Sequence, residues 1–239
     1  MEYGLIVDVE TTGLDSSSDH IIEVGILEFM MSPGMPVSIS RMYGALDDPG
    51  VPVPAEIQKI TGISTLQLEG QSVDWALVAS MMSRAKIVIA HNMEFDRGFF
   101  RMRKELKGVN PHWGCSIRHI DWKSKGANSL SLNYLAADNG FINPFAHRAL
   151  FDCATTFRLI SGHIDELIQS SYLKSVRIDA LNSPFEKKDL LKEQGYRWDA
   201  QRRIWHKTIL ESSLDKERLF LEKEIYLTKP SHKETVLGE

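Results

Sequence analysis

The stretch Leu5-Ile6-Val7-Asp8-Val9-Glu10-Thr11-Thr12-Gly13-Leu14 constrains this chain more than any other. It begins as an apolar, β-branched run with the character of a buried strand. Asp8 and Glu10 then follow at i and i+2, so the strand period puts both on one face and Val9 on the other. Two carboxylates side by side at the edge of an apolar strand repel each other and lose hydration unless a cation lies between them. Thr11-Thr12-Gly13 breaks the strand and frees backbone groups to meet a ligand. Taken alone, the stretch is explained equally well as a strand end entering a solvated turn.

Two later stretches change the balance. His91-Asn92-Met93-Glu94-Phe95-Asp96 follows a second buried-strand run, Ile87-Val88-Ile89-Ala90, and His147-Arg148-Ala149-Leu150-Phe151-Asp152 opens a helical segment. In order and spacing the three stretches resemble the motifs of the DEDDh 3′→5′ exonucleases. That family includes the proofreading subunit of bacterial DNA polymerase III, exonuclease X, RNase T and oligoribonuclease. The resemblance covers about residues 3–168. It implies a ribonuclease H-like α/β fold, a mixed five-stranded sheet with flanking helices. It also implies four metal-binding acids, Asp8, Glu10, Asp96 and Asp152, and a catalytic histidine, His147. Met93 is bulkier than the small residue common at its place in the family.

The chemistry of phosphodiester hydrolysis suits such a set. Two divalent cations roughly 3.5–4 Å apart serve both the attacking and the leaving oxygen, and hard cations take oxygen ligands. The expected cofactors are therefore two Mg²⁺ or Mn²⁺ ions, and no Cys or His cluster suggests zinc. Asp8, deepest on the strand, is the expected bridging ligand, with Glu10 and Asp152 completing the first site and Asp96 serving the second. His147 is the candidate general base, since a neutral imidazole is available at physiological pH. His91, directly after a buried strand, reads as a structural hydrogen-bonding residue. The resemblance further implies that Thr11, Thr12 and Leu14 present backbone donors and a hydrophobic wedge to the terminal nucleotide. Phe95 then packs on its sugar or base and Ile60 lines the same pocket, although plain core packing also explains those two.

Along the chain, strands are expected at Tyr3–Val9, His20–Phe29 and Val37–Leu46, joined as an antiparallel meander by Asp15-Ser16-Ser17-Ser18 and Ser32-Pro33-Gly34. A short helix at Ala55–Ile60 and an amphipathic one at Ser72–Arg84 follow. The next strand, Lys86–Ala90, must then return parallel to the first. That topology sets the acids beyond the carboxyl ends of adjacent strands, where ligand sites of such sheets lie. A helix at Glu94–Leu106, a fifth strand at Trp113–Ile117 and helices at Leu130–Asp138 and Ala149–Ile160 complete the first domain, residues 1–170.

Residues 172–228 read as a small α+β accessory domain: a strand at Ser175–Ala180, a basic helix at Phe185–Gln194, a hairpin around Gln201-Arg202-Arg203 and a helix at Leu214–Tyr226. Residues 229–239 read as a frayed tail. The charge is uneven, with 14 basic and 20 acidic side chains in residues 1–170 against 14 and 12 in the remainder, for a net charge of −4. An acidic nuclease is no contradiction, because bound cations reverse the local sign of a carboxylate cluster. Lys187, Lys188, Lys192, Arg197, Arg202 and Arg203, near Trp198 and Trp205, could track a phosphate backbone; tryptophans in so small a domain are equally explained as its core. Cys115 and Cys153 are isolated thiols and no apolar run approaches a membrane span, so a cytoplasmic location without membrane contact is expected. The expected partners are nucleic acid, DNA before RNA, and a polymerase or other DNA-processing protein. The expected reaction is 3′→5′ release of nucleoside 5′-monophosphates from single-stranded DNA. An RNase T-like or oligoribonuclease-like exoribonuclease and a catalytically silent binding scaffold stay open as alternatives.

Overall fold

The structure is a computed structural model that describes residues 2–32, 35–226 and 231–237. It divides into two compact units, Met1–Ile168 and Gln169–Glu239. No helix among the described residues is long and apolar enough to cross a membrane.

The first unit is built on β1 (Glu2–Thr11), β2 (Ile21–Met31) and β3 (Ser38–Leu46), paired antiparallel as a meander. Helices α1 (Ala55–Thr61), α2 (Thr65–Leu68) and α3 (Trp75–Arg84) lead to β4 (Ile87–Ala90). After α4 (Met93–Met102) comes β5 (Trp113–Cys115). The sheet order is β3-β2-β1-β4-β5, and β4 runs parallel to both β1 and β5, as the helical crossover requires. Four helices follow: α5 (Ser116–His119), α6 (Leu132–Asp138), α7 (Ala149–Ile160) and α8 (Ile164–Ser171). This is the ribonuclease H-like mixed sheet with flanking helices.

Period-2 alternation divides the core between the two faces of the sheet. Leu5, Val7 and Val9 of β1 pack with Val78 and Met81 of α3 and Phe99 and Phe100 of α4. Ile6 packs on the other side with Leu135 of α6, Cys153, Leu159 and Ile160 of α7 and Leu167 of α8. Asp8 and Glu10 continue the Ile6 face, which makes them the polar end of an otherwise dry layer. The parallel register pairs Gly4 with Ile87 and Ile6 with Ile89, so the two acids lie beyond the last paired residue of β4.

Several expected bounds shift. The helix expected at Glu94–Leu106 ends at Met102, with a separate 3₁₀ turn at Lys104–Leu106. The fifth strand stops at Cys115, where α5 begins, and α2 and α8 were not anticipated. The Pro33-Gly34 turn lies outside the described residues.

The second unit contains β6 (Ser175–Ala180), α9 (Lys188–Glu193) after a 3₁₀ turn, β7 (Arg197–Asp199), β8 (Ile204–Leu210) and α10 (Leu214–Phe220), prolonged by a π-helical turn at Leu221–Tyr226. A last strand, β9 (His232–Leu237), pairs antiparallel with β6 along its whole length, giving the order β7-β8-β6-β9. The expectation of a frayed tail over 229–239 therefore fails at His232–Leu237. The segment gains a full backbone ladder from β6 and takes its place as the edge of the sheet. Trp205 packs against the core of this unit, whereas Trp198, 50% exposed, leans on it at 5.5 Å.

Candidate active site

The site is built where β1 passes the end of β4. Asp8 pairs across the sheet with Gly25, and Glu10 with Glu23. Gly25 matters here for space: a Cβ would lie 2.4–2.5 Å from the Ala149 and Leu150 backbone. The first turn of α7 therefore sits directly on β2, over the face that carries the two acids.

Two helices bring the remaining acids. Asp96, in the first turn of α4 and 3% exposed, accepts a hydrogen bond from the Val9 backbone N–H at 3.2 Å. Asp152, in the first turn of α7, accepts from the His147 backbone N–H at 3.0 Å and from Asn143 Nδ2 at 2.6 Å. Each oxygen has a further lone pair, so these bonds orient the carboxylate and leave it able to bind a cation. His147 is exposed and has φ 61°, the left-handed region. That conformation costs about 1–2 kcal/mol in a non-glycine residue, and the Asp152 bond to its N–H helps hold it. Ligand atoms of Glu10, His147 and Asp152 lie within 4.8 Å of one another.

Sequence reasoning missed the group that anchors this turn. Glu23 receives Arg148 through Nε (3.1 and 3.2 Å) and Nη2 (2.8 Å), and its Oε2 accepts from the Ala149 N–H at 2.9 Å. A buried carboxylate thus ties the residue after His147 and the N-terminus of α7 to β2. Glu23 sits within the apolar run Ile21–Leu27, where strand alternation marks it only as a same-face partner for Glu10. Asn143 carried no sequence signal beyond its nearness to His147.

The electrostatics are those of an uncompensated anionic cluster. Burial and then the charges of Asp96, Asp152, Glu10 and Glu23 raise the Asp8 carboxyl well above its ordinary value. Burial, Asp152, Glu23 and Asp96 push Glu10 up to about 8, opposed by Arg148. Burial raises Asp96, partly offset by its backbone hydrogen bonds, and lifts Asp152 to about 6. Carboxylates gathered this way are stabilised by a hard cation with oxygen ligands. The donor set thus fits a divalent metal, with Asp8, Glu10, Asp96 and Asp152 as the residues able to hold it.

The other singled-out residues fall in different settings. Thr11 and Thr12 are buried: the Thr11 hydroxyl donates to Gly13 O at 2.5 Å, and Thr12 Oγ1 accepts from the His20 N–H at 2.9 Å. They shape the turn that follows the acids. Leu14 is 86% exposed and Ile60 52% exposed, so neither is a core residue. Phe95 is half-buried against the α3–α4 core, its ring 5.0 Å from Phe99. His91 bridges Ser116 Oγ at 2.6 Å and Leu130 O at 2.9 Å, and burial lowers its pKa to about 4. A neutral ring fixed at both nitrogens is a structural one. Both thiols are buried, and burial raises their pKa values.

Known proteins resemble this chain in sequence and fold. The RNase T family profile, which describes an exonuclease, matches residues 5–160. The DNA polymerase III subunit epsilon of Aquifex aeolicus is 27% identical over 169 residues, covering 68% of this chain and 81% of that protein. The PolC-type DNA polymerase III of Clostridium perfringens is 28% identical over 180 residues, but these are 72% of this chain and only 12% of the polymerase. Among solved structures, exonuclease X in complex with 5′-overhanging duplex DNA superposes with a TM-score of 0.50 at 22% identity, covering 71% of this chain and 93% of that one. With four acids on β1, α4 and α7 and a profile match over residues 5–160 of the first unit, this chain belongs to the DEDD exonuclease family.

Proposed function

We propose that the chain is a divalent-metal-dependent 3′→5′ exonuclease that removes nucleoside 5′-monophosphates from the 3′ end of DNA, single strands in particular. The carrying observation is the convergence of four acids of raised pKa with an exposed His147 at the entrance to α7. In this reading Asp8, Glu10, Asp96 and Asp152 hold two Mg²⁺ or Mn²⁺ ions. When bound, the ions supply a water acidic enough to attack near neutral pH and neutralise charge on the phosphate.

The chain's own residues do the rest. His147 takes the proton of the attacking water on a ring nitrogen, and its held backbone and solvent-facing ring let it pass that proton to bulk water. Asp152 has two tasks, holding charge with its oxygens and fixing the turn that presents His147. Exposed Leu14 and Ile60 offer apolar contact to a terminal base, which is sequence-tolerant because every base has a π-face. Backbone groups of Thr11 and Thr12, with Phe95, border the same nucleotide. The likeness to polymerase III proteins supports a polymerase as partner, and the two buried free thiols suit a cytoplasmic setting.

Digestion of matched single-stranded DNA, duplex DNA and RNA labelled at either end tests this reading. The expected products are 5′-mononucleotides released from the 3′ end, with DNA consumed faster than RNA and all activity lost in excess chelator. His147→Ala should lower turnover by about 10²–10⁴-fold with strand affinity retained. Release from the 5′ end, or full activity in chelator, would sink it.

A further inference from the structure

The second unit has a sheet face that its core does not use. Val176, Ile178 and Ala180 of β6 enter the core with Leu191 of α9 and Leu221 and Ile225 of the C-terminal helix. The strand period sends Arg177 and Asp179 to the opposite face. Strand registers carry that face across all four strands. Arg197 of β7 stands opposite His206 of β8, His206 opposite Asp179 of β6, and Asp179 opposite Lys233 of β9. On the next rung Thr208, Arg177 and Thr235 line up in the same way. With strands about 4.8 Å apart, the row from Arg197 to Lys233 spans roughly 14 Å.

The charges of this face are ordered and positive. Asp179, 2% exposed, accepts from Arg177 Nε and from Arg202 Nη2, both at 2.8 Å. Asp199 accepts the backbone N–H of Arg202 at 2.9 Å and lies 3.9 Å from Arg177. The two carboxylates thereby fix two guanidinium groups, and Arg202 remains half-exposed with N–H donors to spare. Arg197, Arg203 and Lys233 are exposed, and none has a carboxylate partner among the described residues. The middle rungs offer Thr and His side chains with no large apolar group, which suits a polyanion better than a protein hot spot.

We propose that this face, through Arg197, Arg202, Arg177 and Lys233, binds the phosphate backbone of a single-stranded nucleic acid. The inference rests on the exonuclease reading only in naming that strand as the substrate. It also divides the basic residues of the unit. Lys187, Lys188 and Lys192 flank or belong to α9, which packs through Leu191 on the other face of the sheet. These three lysines are an internal control of the same sign of charge.

The test uses the full chain. Affinity for single strands of about 30 and about 4 nucleotides, the longer exceeding the roughly 4–16 nucleotides of a small binding domain, is measured in chelator against salt, and turnover of the short strand with Mg²⁺. R197E/K233E should lower long-strand affinity at least tenfold and reduce the log–log salt slope by about 1.4, two phosphates at roughly 0.7 each. Short-strand turnover should not change, R197K/K233R should restore both, and K187E/K188E/K192E should leave the slope as in the wild type. An unchanged slope in R197E/K233E, an equal drop in the α9 variant, or equally tight binding of poly-glutamate would overturn the proposal. Failure of the wild type to cut either strand would instead strike the exonuclease reading, while the salt slopes in chelator still decide the face.

Discussion

Arg148 shows how a single side chain can govern the site without touching the acids it serves. Glu23 holds it in a bidentate pair and simultaneously accepts the Ala149 N–H, so the strained backbone of His147 is bounded on one side by this clamp and on the other by Asp152. Arg148→Ala should cost roughly 1.5 kcal/mol in thermal unfolding, the low end for hydrogen bonds to a charged group because Arg148 is partly solvated. It should also reduce turnover more than substrate affinity, since the lost constraint acts on His147; Arg148→Lys, without the planar fork, should recover stability better than rate. A rise in KM at constant kcat would show that Arg148 meets substrate instead. Asp8 and Glu10 were legible as carboxylates at period 2 after an apolar strand, whereas Asp96 and Asp152, on helices, joined them only through the resemblance of the three motifs. Glu23 was not, because its meaning depends on the register that sets it opposite Glu10.

At the scale of elements, the site is the meeting of β1 with the first turns of α4 and α7, and both meetings can be disturbed. Gly25→Ala places a Cβ against the Ala149 backbone, which no side-chain rotation relieves. Displacing α7 should cost about 1–3 kcal/mol as overpacking and lower activity by moving Asp152 and His147 together, whereas Gly62→Ala, in open space at a left-handed cap, should affect stability alone. Equal activity loss from both would mean that α7 does not depend on this contact. The anionic cluster gives a second prediction. Glu10 and Asp152 have folded pKa values of about 8 and about 6, above their ordinary values of 4.5 and 3.8. A raised folded pKa means the native state holds protons that the unfolded state releases. Metal-free protein should therefore be most stable below about pH 4 with respect to these groups, and lose that contribution as pH rises to about 8. Saturating Mg²⁺ should flatten the dependence by stabilising the ionised form. Melting temperatures with and without chelator across this range check it, and a metal-free Tm that rises with pH between 5 and 8 would contradict it. Most elements of this unit were legible from apolar periodicity. The four-residue helices α2 and α5 were not, being too short to show a period.

Across the whole molecule, the residues proposed for chemistry and those proposed for strand-holding fall in separate units. Every residue assigned to hydrolysis precedes Ile168, and the two main core clusters of the first unit are composed of residues within it. The second unit was only partly legible. Its core tryptophan could not be told from its exposed one, since Trp198 and Trp205 face each other across β7 and β8. The strand β9 looked like a tail because its pairing with β6 spans some fifty residues and adds no apolar signal. A fragment ending at Tyr172 keeps α8 intact and should fold cooperatively, showing one melting transition of its own. It should hydrolyse short oligonucleotides at the rate of the full chain, because no group on that path is removed. On long strands it should bind more weakly with a flatter salt slope, having lost the Arg197–Lys233 face while keeping an excess of acidic residues. Processivity should fall accordingly, and adding the second unit as a separate chain should not restore it, since the gain of a tether is effective concentration. A folded fragment that matches the full chain in slope and processivity would mean that the first unit alone grips the strand.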